Sequence, residues 1–120
     1  MPARVPRSFF DRPTLAVARA MLGCRLVRRI GGRRVAGRIV EVEAYIGAAD
    51  LACHGRFGPT ARNAVMFGPA GVAYVYFTYG RHWMFNIVTE RQGLPAAVLI
   101  RALEPLEGID RMQRRRGLTA

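Results

Sequence analysis

Residues 38–45 read Arg-Ile-Val-Glu-Val-Glu-Ala-Tyr, an alternation of period two that a half-buried strand requires and a helix cannot use. Side chains in a strand alternate between its faces, so Glu41, Glu43 and Tyr45 are expected on one side and Val40, Val42 and Ala44 on the other. Strand rise puts the Cα atoms of the two glutamates roughly 6.5 to 7 Å apart. An anionic group beside an aromatic platform suits chemistry on a flat, electron-poor ring.

Around that strand the chain reads as one helix followed mostly by strands. Asp11 is placed to cap a helix with Pro13 in its first turn, and Leu15, Ala18, Met21 and Leu22 fall at helical spacing, as core, before Gly23 ends it. Residues 24–30, the Gly31-Gly32 turn and residues 33–45 read as a hairpin. Residues 46–72 are rich in Gly, Ala and Pro, carry His54, and include a short helix over 61–66 capped by Thr60; a connection this long in a small domain is more often functional than idle. Residues 73–79 and 83–88 are two apolar, aromatic strands joined by Gly80-Arg81-His82, with Tyr79 and Arg81 at the tip. A buried strand over 96–102 and a helix over 106–116 with a cationic cluster near its end complete the reading.

Nineteen basic residues stand against eight acidic ones in 120, a formal net charge of +11, and every cation is arginine. That balance favours a polyanionic partner, nucleic acid first, because arginine's planar fork suits phosphate and neutralising phosphates releases counterions. An arginine-rich, alanine-rich composition that merely reflects genomic base bias is an equal explanation of the basicity by itself. The absence of lysine bears on mechanism: no ε-amine exists to form a Schiff base with a sugar. The remaining amine nucleophile would be Pro2 after loss of Met1, and the flexible residues before the first helix disfavour it. Cys24 and Cys53 form no Cys-x-x-Cys pair and, with two histidines, make no zinc module; they are expected as reduced, buried thiols, with no metal and no cofactor. Neither a signal peptide nor an apolar run of membrane-spanning length is present, so a cytoplasmic protein, nucleoid-associated if bacterial, with no membrane partner is expected.

A hairpin tip bearing an aromatic and an arginine can enter a minor groove and unstack a base step. A pocket lined by Tyr45, His54 and Tyr76 could then hold the base taken out of the stack. The residues alone fit a base-flipping hydrolase and leave a plain basic binding module open.

Four segments carry a resemblance: Gly-Arg-Ile-Val-Glu-Val-Glu-Ala-Tyr (37–45), Pro-Thr-Ala-Arg-Asn-Ala-Val-Met-Phe-Gly-Pro (59–69), Tyr-Val-Tyr-Phe-Thr-Tyr-Gly (74–80) and Leu-Ile-Arg-Ala-Leu-Glu-Pro (99–105). In order and spacing, from about Phe9 to about Gly108, the chain resembles the alkyladenine (3-methyladenine, methylpurine) DNA glycosylases. The resemblance implies a mixed α+β single domain: a curved, mainly antiparallel sheet, flanking helices and a protruding, DNA-intercalating β-hairpin. It also implies a monofunctional enzyme, acting as a monomer, that hydrolyses damaged purines from double-stranded DNA. Glu43 matches the glutamate that activates water, Tyr45 and His54 one side of the flipped base, and Tyr76 the other. Tyr79 matches the side chain that fills the gap in the duplex, Asn86 the amide that crowds guanine's amino group, and Arg101 an arginine near the nucleotide backbone. Arg62 lies in a matching motif and is assigned to DNA contact.

Each assignment has a plainer rival. Glu41 and Glu43 could be solvated residues on an open sheet face, His54 a loop histidine, and Asn86 a partner for a neighbouring backbone group. With the motif around them, catalysis falls to Glu43 and a supporting or neutral role to Glu41. Two carboxylates on one strand face are also poorly placed to flank a glycosidic bond. Tyr74, Phe77 and Trp83 are expected as core. Members of the resembled family continue past the position matching Ala120, so the domain, residues 1–120, is expected to be truncated at its C-terminus. An inactive remnant therefore stands beside the enzyme and the binding module as a third reading.

Overall fold

The computed structural model describes residues 4–46, 64–78 and 82–117. The hairpin forms where the sequence placed it: β1 (Arg25–Ile30) pairs antiparallel with β2 (Arg33–Ile46), Ile30 opposite Arg33. Gly31 and Gly32 close it with φ of 59° and 76°, the consecutive left-handed pair of a turn whose twist matches the strands. β3 (Ala73–Thr78), β4 (His82–Val88) and β5 (Ala96–Glu107) complete one five-stranded sheet in the order β1-β2-β5-β4-β3, every ladder antiparallel. With two helices on this sheet the architecture is the expected mixed α+β. The β3–β4 ladder runs to Thr78 opposite His82, and the tip beyond it, with Tyr79, lies outside the described residues.

β5 is the central strand, and Ala96, Ala97, Val98 and Leu99 are all buried regardless of parity. Both faces of the sheet are therefore covered there. On one face α1 (Thr14–Met21) sets Val17, Ala18 and Met21 against Ile39, Ile87 and Val98. On the other, the 3-10 turn Ala64–Phe67 brings Met66 onto Tyr74, Val88 and Ala97, flanked by Tyr45, Phe67 and Tyr76. Of the helix expected over 61–66 only this turn is described; Thr60 lies outside.

Several expectations shift, each for a local reason. The buried stripe of α1 is Thr14, Val17, Ala18 and Met21, while Leu15 and Leu22 are exposed, because the helix ends at Met21 and leaves Leu22 extended. Its N-cap position is Pro13, which can supply no capping side chain; the carboxylate of Glu90 instead accepts from the Thr14 backbone N–H (3.2 Å) and from the Thr14 hydroxyl. Asp11 is not the cap. Cys24 is half-buried rather than buried and donates its thiol to the Ala20 carbonyl at 3.3 Å; Cys53 lies outside the described residues. β5 continues past Ala102 to Glu107 although it contains Pro105, which sits opposite Gly37. A Cβ on Gly37 would lie 2.9 Å from that of Leu103, so the close crossing needs the glycine. α2 (Ile109–Arg115) accordingly starts later than expected, after Gly108, whose φ of 71° turns the chain out of the strand.

Tyr74 is core, but Phe77 and Trp83 are not. They pair across β3 and β4 with ring centroids 5.1 Å apart and are 49 % and 70 % exposed, beyond the reach of α1. β2 also departs from strict alternation. Its register against β5 shifts at Ile39/Glu41 and again at Glu41/Val42. Ile39 and Val42 consequently both face α1 although they are three residues apart, and Val40 is 52 % exposed. Val40 therefore does not share the core face of Val42 and Ala44. No helix among the described residues is long and apolar enough to cross a membrane.

Candidate active site

The face of the sheet opposite α1 carries one continuous row: Glu43 on β2 lies beside Leu99 on β5, Leu99 beside Asn86 on β4, and Asn86 beside Tyr74 on β3. One rung along, Tyr45, Ala97 and Val88 line up in the same way. Directly paired residues point to the same face, so the register alone delivers Glu43, Tyr45 and Asn86 to one surface. Arg101, two residues beyond Leu99 on β5, joins them.

Each oxygen of Glu43 has its own partner. The Tyr45 hydroxyl donates to Oε1 at 2.6 Å, and the Arg101 Nε lies 3.0 Å from Oε2. Both members of the ion pair are 44 % exposed, so the carboxylate is oriented yet open to water. A carboxylate oxygen can accept more than one donor, which leaves Glu43 able to take a further hydrogen bond. Glu41 reaches the same guanidinium from farther away, with Oε1 at 3.9 Å, because the bulge turns it onto this face.

The Tyr45 hydroxyl is pushed up to about 12, first by burial, then by donation to Glu43 and the charge of that carboxylate, with smaller opposing help from Arg101. At neutral pH Tyr45 is therefore a fixed proton donor to Glu43. Its ring packs with Tyr76 on the Met66–Tyr74–Val88–Ala97 cluster, and the Tyr74 and Tyr76 rings stand 5.3 Å apart at 43°. These rings give the carboxylate one aromatic flank.

Asn86 is 2 % exposed, two strands from Glu43, or roughly 10 Å at the usual strand spacing. Its Nδ2 donates to the Tyr74 carbonyl at 3.2 Å and to the Met84 carbonyl at 3.4 Å. The plainer reading of Asn86, as a partner for backbone groups, is thus realised. The structure brings together Glu43, Tyr45, Tyr76, Asn86 and Arg101; His54, Arg62 and Tyr79 lie outside the described residues. No cluster of metal-ligating side chains occurs among the described residues.

Sequence reasoning missed the ion pair between Arg101 and Glu43, having placed Arg101 at the nucleotide backbone alone. Its signal was the pairing of an acidic strand with an Arg-bearing one, which becomes visible only once β2 and β5 are known to be neighbours. The hydrogen bond from Tyr45 to Glu43 was within reach, since residues two apart on a strand share a face.

Comparison with known proteins adds an independent line. A family model described as "Methylpurine-DNA glycosylase (MPG)" matches residues 8–120. A protein of Myxococcus xanthus named "Putative 3-methyladenine DNA glycosylase" is 61 % identical over 105 residues, covering 88 % of this chain and 54 % of its own length. Proteins of the same printed name from Methanocella arvoryzae and Legionella pneumophila (strain Corby) are 62 % identical over 104 residues and 55 % identical over 111. These alignments cover 87 % and 92 % of this chain, and 52 % and 61 % of the relatives. The chain thus spans between half and about three-fifths of the length of these curated relatives.

Proposed function

The chain belongs to the methylpurine-DNA glycosylase family, and from that premise we propose that it is the part of a damaged-purine DNA glycosylase that carries the catalytic carboxylate. The observation that carries this reading is Glu43: a carboxylate with each oxygen held by a different neighbour, half-exposed, and flanked by tyrosine rings.

In the proposed reaction a purine turned out of duplex DNA stacks between Tyr45 with His54 on one side and Tyr76 on the other, while Tyr79 fills the space it leaves. Glu43 accepts a proton from water as that water attacks the sugar C1′. The C1′–N bond breaks, its electron pair leaves with the base, and the sugar keeps the water's hydroxyl as an abasic site. Tyr45, protonated throughout, and Arg101 hold the carboxylate toward the water. This chain supplies no lysine to form a Schiff base, and the proposed hydrolysis ends at base release without strand cleavage. Asn86 borders the base, and Arg62 and Arg101 contact the DNA backbone. Lesion choice among alkylated and deaminated purines follows from pocket width.

The test is single-turnover release of hypoxanthine and of alkylated adenine from duplex DNA by the parent chain and by Glu43→Gln. Release by the parent that falls by about 10²–10⁴ in the variant, the usual worth of a general base, supports the proposal. Equal release by both proteins would refute it. A second reading, a duplex-binding module that leaves the bond intact, is favoured by the net charge of +11. It predicts salt-sensitive binding that ignores the lesion and is untouched by Glu43→Gln, with no release by either protein.

A further inference from the structure

From Arg25 to Arg38 the β1–β2 hairpin contains six arginines, Arg25, Arg28, Arg29, Arg33, Arg34 and Arg38, and no carboxylate. β1 is one of the two edges of the sheet. Its register sets Arg25 directly opposite Arg38 and Arg29 directly opposite Arg34, with Val27 and Ala36 between them on the same face. Like charges directly opposite on a ladder are destabilising, so these two rungs work against the hairpin unless an anion meets them. The inner member of each rung has one: Arg38 pairs with Glu104 at 2.5 Å and Arg34 with Glu107 at 3.2 Å. Among the described residues the outer members, Arg25 and Arg29, have no ion pair.

The two rungs face the side of the sheet that bears Glu43. Arg38 precedes Ile39, which faces α1, and after the bulge Val42 faces α1 while Glu43 points away. Along β2, Arg38 is five residues from Glu43 and Arg34 nine, roughly 16 and 30 Å at strand rise. At the axial spacing of duplex DNA these distances correspond to roughly five and nine base pairs. Charged residues also guard sheet edges against pairing with other chains, but either sign serves that purpose, and this hairpin uses one sign alone.

We propose that Arg25 and Arg29 form a second phosphate-contact surface, which engages the duplex backbone on one side of the damaged base, five to nine base pairs away by the estimate above. The inference rests on the duplex-substrate reading of the preceding section. Its salt-dependence test uses undamaged duplex, so binding is read without any bond cleavage and the two readings can fail separately.

The association constant is measured against salt concentration for the parent, for Arg25→Gln/Arg29→Gln, and for Arg12→Gln/Arg19→Gln. The last pair removes the same charge from the α1 side of the protein. Each phosphate contact contributes about 0.9 to the slope of log K against log salt, so the hairpin variant is expected to lose about 1.8. The α1-side variant should keep the parent slope. An unchanged slope in the hairpin variant, or an equal loss in both variants, would overturn the proposal. A thermal melt accompanies each protein; were the double variant to lose its cooperative transition, the single substitutions Arg25→Gln and Arg29→Gln carry the same test at about 0.9 each. Duplex length gives a second readout, on lesion-bearing duplex with Glu43→Gln added to both proteins so that the base is not released: cutting the DNA on the contacted side to fewer than about five base pairs from the lesion should abolish the difference between the proteins with and without the hairpin substitutions. A difference that survives on the shortened duplex, whichever arm is cut, would overturn the placement.

Discussion

Tyr45→Phe removes one oxygen atom and keeps the ring, and so separates the two roles proposed for this residue. In the parent, the phenol donates to Glu43 Oε1 at 2.6 Å, and losing its proton would set a second negative charge beside that carboxylate. Burial and this bond push its pKa from 10.0 to about 12. The protonated phenol is the form the fold favours, so the native state holds its proton to higher pH than the unfolded chain does. The stability associated with this is full below about pH 10 and is lost as pH rises toward about 12. Two pH units correspond to about 2.7 kcal/mol. Tyr45 is only part-buried, and solvent screening reduces the figure to about 1 kcal/mol.

Two assays read this. Phenolate absorbance should show a tyrosine transition near pH 12 in the parent that is missing in Tyr45→Phe. Denaturant midpoints followed between about pH 9 and about pH 12 should fall more steeply for the parent, by about 1 kcal/mol over the range. In the catalytic assay, loss of a hydrogen bond to a charged group, worth about 1.5–3 kcal/mol, corresponds to roughly 10- to 100-fold slower base release. Tyr45→Leu, which also loses the ring, should be slower still. A tyrosine of ordinary titration at this position, or an alkaline stability profile identical in parent and Phe variant, would refute the bond between Tyr45 and Glu43 and with it the positioning argument.

Two further substitutions test how the scaffold is held. Glu90 has a left-handed backbone (φ 63°) and accepts from both the backbone and the hydroxyl of Thr14 at the start of α1. Glu90→Ala should destabilise the fold by about 1.5–3 kcal/mol, as expected for a hydrogen bond to a charged group, with Glu90→Gln recovering part of the loss; denaturant midpoints measure it, and a change under a few tenths of a kcal/mol would dismiss the cap. A Cβ on Gly108 would lie 2.6 Å from Val35 Cγ1 and 2.8 Å from the Arg34 carbonyl oxygen, at a φ of 71°. Gly108→Ala should therefore cost about 2–4 kcal/mol, from left-handed strain and overpacking together, read as a fall in melting temperature; an unchanged melt would mean that the β5–α2 junction yields freely.

How far the sequence discloses this molecule depends on the range of the force involved. The Gly31-Gly32 turn and the arms beside it were legible because a two-residue hairpin loop is a local object, decided by backbone sterics. Glu43 and Tyr45 were legible as neighbours for the same reason, since period two needs only one strand. The ends of β5 and α2 were not, because β5 runs on past Pro105 beside Gly37, from a strand far away in sequence, whose missing Cβ leaves room for Leu103. The exposure of Phe77 and Trp83 was hidden likewise: composition marks them apolar, but only the length of α1 decides which part of the sheet is covered.

The bulge at Ile39–Glu41 shows why the gap matters for function. Strict alternation put Glu41 and Glu43 on one face and treated Val40, Val42 and Ala44 as a single core row. The observed strand achieves the first result by breaking the second, letting Ile39 take the core position while Val40 is left half exposed. Without the inserted residue, a strand that buried both Ile39 and Val42 would be impossible, since they differ in parity. The bulge thus reconciles a core demanded by α1 with a carboxylate face demanded by Arg101, whose guanidinium reaches Glu43 at 3.0 Å and Glu41 at 3.9 Å. A residue pattern can announce that two acids share a face; only the pairing of β2 with β5 decides that they share a cation.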